Sequence, residues 1–320
     1  MRHPRLCRRG VTLVEVMVAV AIIGLLAAII APAVLAARGA SRRIDCANRM
    51  RQIGIAFQNY HTTYNCLPHL GYDIGRVTWS VWRSLLPDLE LQSLEQRARE
   101  VDLDFADDGQ ASNATFERAL QIPILQCPAD GSMGIYGANF GINWGGGSQT
   151  APDGAFTADK RLTVGFNSMT DGTSNTAMVS EFLRGDTAAP GYSEAARADG
   201  RRLVFNVVPG IDNAADMPGM FDRCRSMDPK TSPVLESDRG RLWLSGGYDH
   251  YSYNHFDLPN RYSCVNSGNA WGLILSSSSL HGSGVNVLFA DGSVRFINDQ
   301  LDLKVWRAFG TRAGAERVEQ

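Results

Sequence analysis

From Val11 to Ala37 the chain is apolar at almost every position, and Glu15 is the only charge in the run. As a helix these 27 residues rise about 40 Å at ~1.5 Å per residue, more than the ~30 Å hydrocarbon core of a bilayer. The run is long enough to span one. After Arg38 the pattern changes from apolar all round to apolar on one side. Cys46, Met50, Ile53, Phe57, Tyr60 and Tyr64 recur at helical steps, whereas Arg43, Arg49, Arg51, Gln52 and Asn59 are polar. The expectation for all six stripe residues is core packing. No strong breaker stands between Ala33 and Asn65–Pro68, so both stretches join into one helix over Val11–Thr62, about 78 Å long, with Pro32 placed to kink it.

Beyond Pro68 the periodicity shortens. "SLLPDLELQSLEQRAREV" reads as a short amphipathic helix, and "NATFERALQIPILQCPADGS" as a helical turn, then a strand or extended piece, then a turn. From Gly134 onward Gly, Ser, Asn and Asp abound. Asp-Gly occurs six times, at Asp108, Asp130, Asp153, Asp171, Asp199 and Asp291. Such dipeptides tolerate positive φ and suit hairpin turns. Flanked by "TAMVSEF", "RRLVFNVV", "WGLILSS" and "VNVLF", they predict an antiparallel β-rich domain with long loops and no internal repeat. "VNVLFADGSVRFI" predicts a terminal hairpin, with Val285, Val287 and Phe289 on one face.

Composition changes this picture little. Of 320 residues, 44% are hydrophobic and 20% charged, an ordinary globular balance, and 32 Gly fit the loop-rich reading. Charge is more telling. The formal net charge is −2, but Arg2, Arg5, Arg8 and Arg9 crowd the first ten residues with no acid. Removing these four from the 31 basic residues leaves 27 against 33 acids, a net of −6. No clustered basic face marks nucleic-acid binding, and no P-loop, dinucleotide fingerprint or zinc-type CxxC pair is present.

Glu15 needs a reason, because a carboxylate at the centre of a membrane helix costs about 2.5–3.5 kcal/mol. An ordinary secretory signal, cut near "LAA" or "ARGA", offers none, and its apolar core is shorter, at ~7–15 residues. The stretch "RRGVTLVEVMVAVAIIGLL" instead resembles the signal of type IV pilins and type II secretion pseudopilins. That resemblance implies cleavage between Gly10 and Val11 by a prepilin peptidase, N-methylation of Val11, and an assembly role for Glu15 as fifth mature residue. Gly24 and Pro32 fall at positions 14 and 22, where these helices carry a Gly and a kinking Pro. The chain departs from the family in starting its mature part with Val rather than Phe. Within one subunit the new amine of Val11 lies one turn from Glu15 and can partly neutralise it. Between subunits, the same pairing would reward one axial register.

The resemblance extends to the far end. His281 and Asp291–Gly292 form a His-x9-Asp-Gly motif. With "RRIDCANRMRQIGIAFQNYHTTYNCLP", "ILQCPAD", "TDGTSNTAMVSE" and "FGTRAGAE", it is similar to a large bacterial family of pilin-like proteins with a C-terminal domain of unknown function. The implied fold class is α+β: a long N-terminal helix, transmembrane then amphipathic, packed on a globular domain. The corresponding domains are 1–10 (leader), 11–37, 38–64 and 65–320. The family implies no known enzymatic activity and supplies no ligand. The leader arginines place their end in the cytoplasm, while Arg38, Arg42, Arg43, Arg49 and Arg51 oppose that by the positive-inside rule; the processing signal decides for the leader. The expected setting is the bacterial inner membrane, single-pass, with prepilin peptidase, other pilin or pseudopilin subunits and lipid as partners, and no nucleic acid.

Six cysteines become five once Cys7 leaves with the leader. Cys224 and Cys264 both lie in polar loop sequence and are expected to pair. Cys46 has Cys66 and Cys127 as candidate partners, and an odd count leaves one thiol over. His250, His255 and His281 among aspartates invite a catalytic reading, but there is no nucleophile elbow, and "SSSS" at Ser276–Ser279 reads as loop. A hydrogen bond from His281 to Asp291 across the hairpin base is the simpler expectation. No cofactor is expected; pseudopilins use calcium, and Asp and carbonyl oxygens of the Gly-Asp loops suit a hard cation, though no EF-hand spacing names ligands. Function therefore reads as a minor pilus or pseudopilus subunit. The alternatives are an anchored module binding glycan or protein, with Trp144, Trp243, Trp271 and Tyr248–Tyr253 as stacking or core residues, and a hydrolase. N-terminal mass spectrometry of protein from native membranes is expected to find a chain beginning at N-methylated Val11. A start near Gly39 would mean ordinary secretion, and an intact Met1 an anchor alone.

Overall fold

The computed structural model describes residues 12–69, 72–73, 76–77, 79–100, 122–131, 137–146, 153–157, 162–185, 192–207, 217–236, 239–241, 243–244, 248–266 and 272–315. It divides into two compact units, residues 1–42 and 43–320. The first consists of helix α1 (Leu13–Tyr64) as far as Arg42, exposed at every described position and long and apolar enough to cross a membrane. The helix runs unbroken past Pro32.

In the second unit α1 turns one face inward. Cys46, Met50, Ile53 and Phe57 are buried, joined by Gly54 and Ala56. Burying a side chain of this size is worth about 1.5–3 kcal/mol relative to leaving it in water. The stripe stops earlier than its periodicity predicts. Tyr60 is half-buried, and Tyr64 is exposed and packs its ring on Tyr60 at 4.5 Å. The helix ends there, and Asn65 turns the chain at φ +56°. Arg49 leaves the polar face too, and donates to the carbonyls of Pro123 and Gln126.

The two predicted segments that follow are rewritten by proline. The expected amphipathic helix over 84–101 does not start as one piece: a helix Val81–Leu85 ends just inside it, a 3-10 turn follows at Pro87–Leu89, and a helix runs over Gln92–Glu100. Pro87 has no N–H to continue the first helix. Pro123–Leu125 forms a 3-10 turn where extended chain was one of the options, and the helical turn expected ahead of it at 113–121 lies outside the described residues.

The strands are β1 (Tyr72–Asp73), β2 (Arg76–Val77), β3 (Phe140–Asn143), β4 (Ala177–Glu181), β5 (Val204–Asn206), β6 (Val234–Glu236), β7 (Ser252–Tyr253), β8 (Ser263–Val265), β9 (Leu273–Ile274), β10 (Gly284–Phe289) and β11 (Val294–Asn298). Strands β1 and β2 pair alone, a five-stranded sheet runs β11-β10-β4-β3-β7, and a four-stranded sheet runs β6-β5-β8-β9. The expected α+β arrangement is present, but the sheets are mixed rather than antiparallel. β3–β7 and β5–β8 are parallel pairs. A parallel pair needs a long crossover, and the one between β3 and β7 contains β4, β5 and β6, which local turn signals cannot reveal. Of the described Asp-Gly pairs, Asp291–Gly292 closes the β10–β11 hairpin, with Gly292 at φ +83°. Asp199–Gly200 instead ends the helix Glu194–Asp199.

Strand β10 is buried along its length. Val285, Val287 and Phe289 face a cluster with Trp306 and Tyr253, as the alternation predicts, while Leu288 faces the core that contains the α1 stripe. Helix and strand approach so closely at Gly54 that a Cβ there would lie 2.9 Å from Leu288 Cδ1. Ser276–Ser279 has no regular secondary structure, as the loop reading expects, but is buried. Its groups bridge the sheets: Leu183 N donates to Ser278 Oγ at 3.0 Å and Ser276 Oγ donates to Tyr262 O at 3.1 Å. Leu288→Ala is expected to cost about 2–5 kcal/mol in equilibrium denaturation. A loss within the ~0.5 kcal/mol of exposed substitutions would refute this packing.

Candidate functional site

Two places carry chemistry. At the start of α1, the Glu15 carboxylate accepts from Thr12 N at 2.8 Å and Thr12 Oγ1 at 2.9 Å. These bonds close the first turn of the helix. Residues 16–35, which follow it, are apolar and exposed, and at Gly24 an added Cβ would meet nothing within 4 Å. Gly10 and Val11 lie outside the described residues.

The second place gathers around His281. The motif does not act as a pair: His281 precedes β10, whereas Asp291 sits in the turn beyond it. Six strand residues at ~3.3 Å each keep the two about 20 Å apart, so the expected hydrogen bond between them does not form. Asp291 Oδ1 accepts from Ser293 N at 2.9 Å, and its other oxygen lies 3.7 Å from Arg295 Nη2. His281 instead places Nε2 3.2 Å from Glu181 Oε1 and 3.3 Å from Cys127 Sγ. Cys127 is bonded to Cys46, which ties α1 to the 122–131 segment. The two sulfurs, the carboxylate and the imidazole all lie within 4.8 Å of one another. Glu181 ends β4 and is held by Asn286, whose backbone N–H and Nδ2 donate at 2.9 and 2.8 Å.

Cys224 and Cys264 form the second disulfide, as expected, and among the described residues Cys66 carries the free thiol. No local signal could have placed Glu181 with His281, since a hundred residues separate them.

His255 is structural. His255 Nδ1 donates to Trp306 O at 2.7 Å, Nε2 accepts from the Tyr253 hydroxyl at 3.1 Å, and the ring stacks on Trp306 at 4.0 Å. Burial lowers its pKa to about 3, partly offset by the bond to Trp306. Burial also raises Tyr253 well above its ordinary value. Trp144, Trp243, Tyr251 and Tyr253 are core residues, while Trp271 and the Tyr248 side chain lie outside the described residues. In the described Asp-Gly pairs the carboxylates already accept protein donors: Asp130 from Arg202 and Asn139, Asp153 from Gly146, Asp171 from Gly314 and Ala315, Asp199 from Arg201.

A family model described as a protein of unknown function (DUF1559) matches residues 35–304. The chain belongs to that family. A second model, the prokaryotic N-terminal methylation motif, matches residues 5–31. This DUF1559 protein is thus a pilin-type subunit carrying a prepilin-peptidase signal and a single apolar N-terminal helix, features of a membrane-anchored protein. No curated protein and no solved structure matches it.

The His255 environment sets a pH dependence. The unfolded chain protonates this ring near pH 6.5 and the folded one near 3, so the unfolded state binds more protons between them. The contribution is full above the upper value and fades as pH falls towards the lower. Between pH 7 and about pH 4 the loss is about 3 kcal/mol. His255→Gln is expected to remove that part of the denaturation-derived pH profile; an unchanged profile would show that His255 is not held neutral.

Proposed function

We propose that this protein is a minor subunit of a type IV pilus or type II secretion pseudopilus. It would sit in the bacterial inner membrane through α1, with residues 43–320 outside the cytoplasm. The observation that carries this reading is Glu15, the only charge in an apolar run inside the matched methylation motif. Its described partners lie on Thr12, and a hydroxyl and an amide leave the negative charge uncompensated. In hydrocarbon a lone carboxylate is costly. The positive amine freed at Val11 compensates it, and when that amine belongs to a neighbouring subunit the pairing selects one axial register. A soluble part of some 250 residues is large for a repeating shaft, which favours a specialised subunit. We assign the chain an assembly role and no catalytic one. Of the aromatics a glycan-stacking alternative would use, Trp144, Trp243, Tyr251 and Tyr253 lie in the core.

In the native host, Glu15→Leu protein is expected to be cleaved normally after Gly10 yet to stay in the membrane fraction, absent from sheared filaments or overexpressed pseudopili. Entry of the Glu15→Leu chain at wild-type levels would overturn the assembly role.

A further inference from the structure

We propose that reduction of the Cys46–Cys127 disulfide converts the His281 cluster into a four-ligand site for Zn²⁺, made by Cys46, Cys127, Glu181 and His281. The inference does not depend on filament assembly. Its basis is convergence. A tetrahedral zinc site with bonds of 2.0–2.3 Å keeps its ligand atoms about 3.3–3.8 Å apart. His281 Nε2 stands 3.2 Å from Glu181 Oε1 and 3.3 Å from Cys127 Sγ, at the close end of that spacing, and all four ligand atoms fall within 4.8 Å. A nucleophilic Cys-His-Glu arrangement would look different. There the imidazole meets the nucleophile with one nitrogen and the carboxylate with the other. Here the same nitrogen faces both, so three groups aim at one point.

The surroundings are those of a metal-ligand set. Glu181 and His281 expose 2% of their side chains, Cys46 none of its surface. The carboxylate is oriented by two bonds from Asn286, Cys127 N donates to Asn139 Oδ1 at 3.0 Å, and His281 N donates to Ser279 Oγ at 3.1 Å. Outer bonds of this kind hold ligands for a metal. Two sulfurs, an imidazole and one carboxylate suit zinc rather than calcium or magnesium, which prefer oxygen alone.

Oxidation state gates the site, because the thiolate is the ligand and a disulfide sulfur is a poor one. A phosphine reductant supplies two electrons to the S–S bond and takes up oxygen from water. The disulfide becomes two thiols, and the phosphine becomes its oxide. Zinc then displaces both thiol protons, which leave to solvent. In either state α1 stays tied to the 122–131 segment, by a covalent bond or by the metal.

The test uses the full chain in detergent, with and without phosphine reduction, loaded with Zn²⁺, desalted and analysed for metal, with Co²⁺ as the spectroscopic probe. The expected result is one tightly held zinc per reduced chain and none per oxidised chain. Cobalt should show tetrahedral ligand-field bands and thiolate-to-metal charge transfer. His281→Ala, Glu181→Gln and Cys46→Ser should each weaken binding at least about tenfold, whereas Cys66→Ser and the Cys224→Ser/Cys264→Ser double variant should not. The fold of His281→Ala and Glu181→Gln is checked by circular dichroism in the oxidised form, before reduction. A reduced chain that retains no metal, or one whose binding survives both His281→Ala and Cys46→Ser, overturns the proposal.

Discussion

Burial of one face of α1 between Cys46 and Phe57 is the constraint around which residues 43–320 close. The helix brings Cys46, Met50, Ile53 and Phe57 to a core that also holds Trp82, Phe140, Phe156 and Leu288. At Gly54 the backbone comes so near β10 that no larger residue fits without displacing Leu288. The same face supplies Cys46 to the disulfide and Gln58 to the carbonyl of Ala290. Where Cys127, Glu181 and His281 sit relative to the helix follows from this seam.

The interior behind it holds buried charged side chains. Asp130 meets Arg202 at 2.6 Å and Arg184 at 3.7 Å, all three nearly sealed from water. Arg239, 1% exposed, spends its donors on Ser263 Oγ, Ser276 O and Ser252 O and lies over the Phe182 ring. Removing one partner from such a network leaves a buried charge uncompensated, which costs far more than the pair itself contributes. These contacts fix how the two sheets meet, because Ser252 belongs to β7 and Ser263 to β8.

Some of this was legible in the sequence, for reasons that can be stated. The apolar run, its change to a one-sided stripe, and the alternation of Val285, Val287 and Phe289 are local patterns, and each element appears where its period places it. The pairing of Cys224 with Cys264 also followed from context. What failed was non-local. The parallel pairings of β3 with β7 and β5 with β8 join strands far apart in the chain. The His281–Asp291 spacing looked like a contact because both flank one hairpin, yet a strand's length lies between them. Glu181 carried no signal, being one acid among 33. Tyr64 kept the stripe's rhythm but lies past the point where the core ends. Proline decided the helix break at Pro87.

The bond from Gln58 to Ala290 spans 232 positions, and Gly54 waits equally long for Leu288. A ribosome adding roughly 5–20 residues per second needs on the order of 10–50 s to cover that interval. Through all of it the stripe can meet Trp82, Phe140 and Phe156 as they emerge, but the side that faces Leu288 stays uncovered. Late closure also makes the contact order high, which slows folding once the chain is complete. Nascent copies of this protein therefore pass through a sticky adolescence, and the last hairpin made is the piece that ends it.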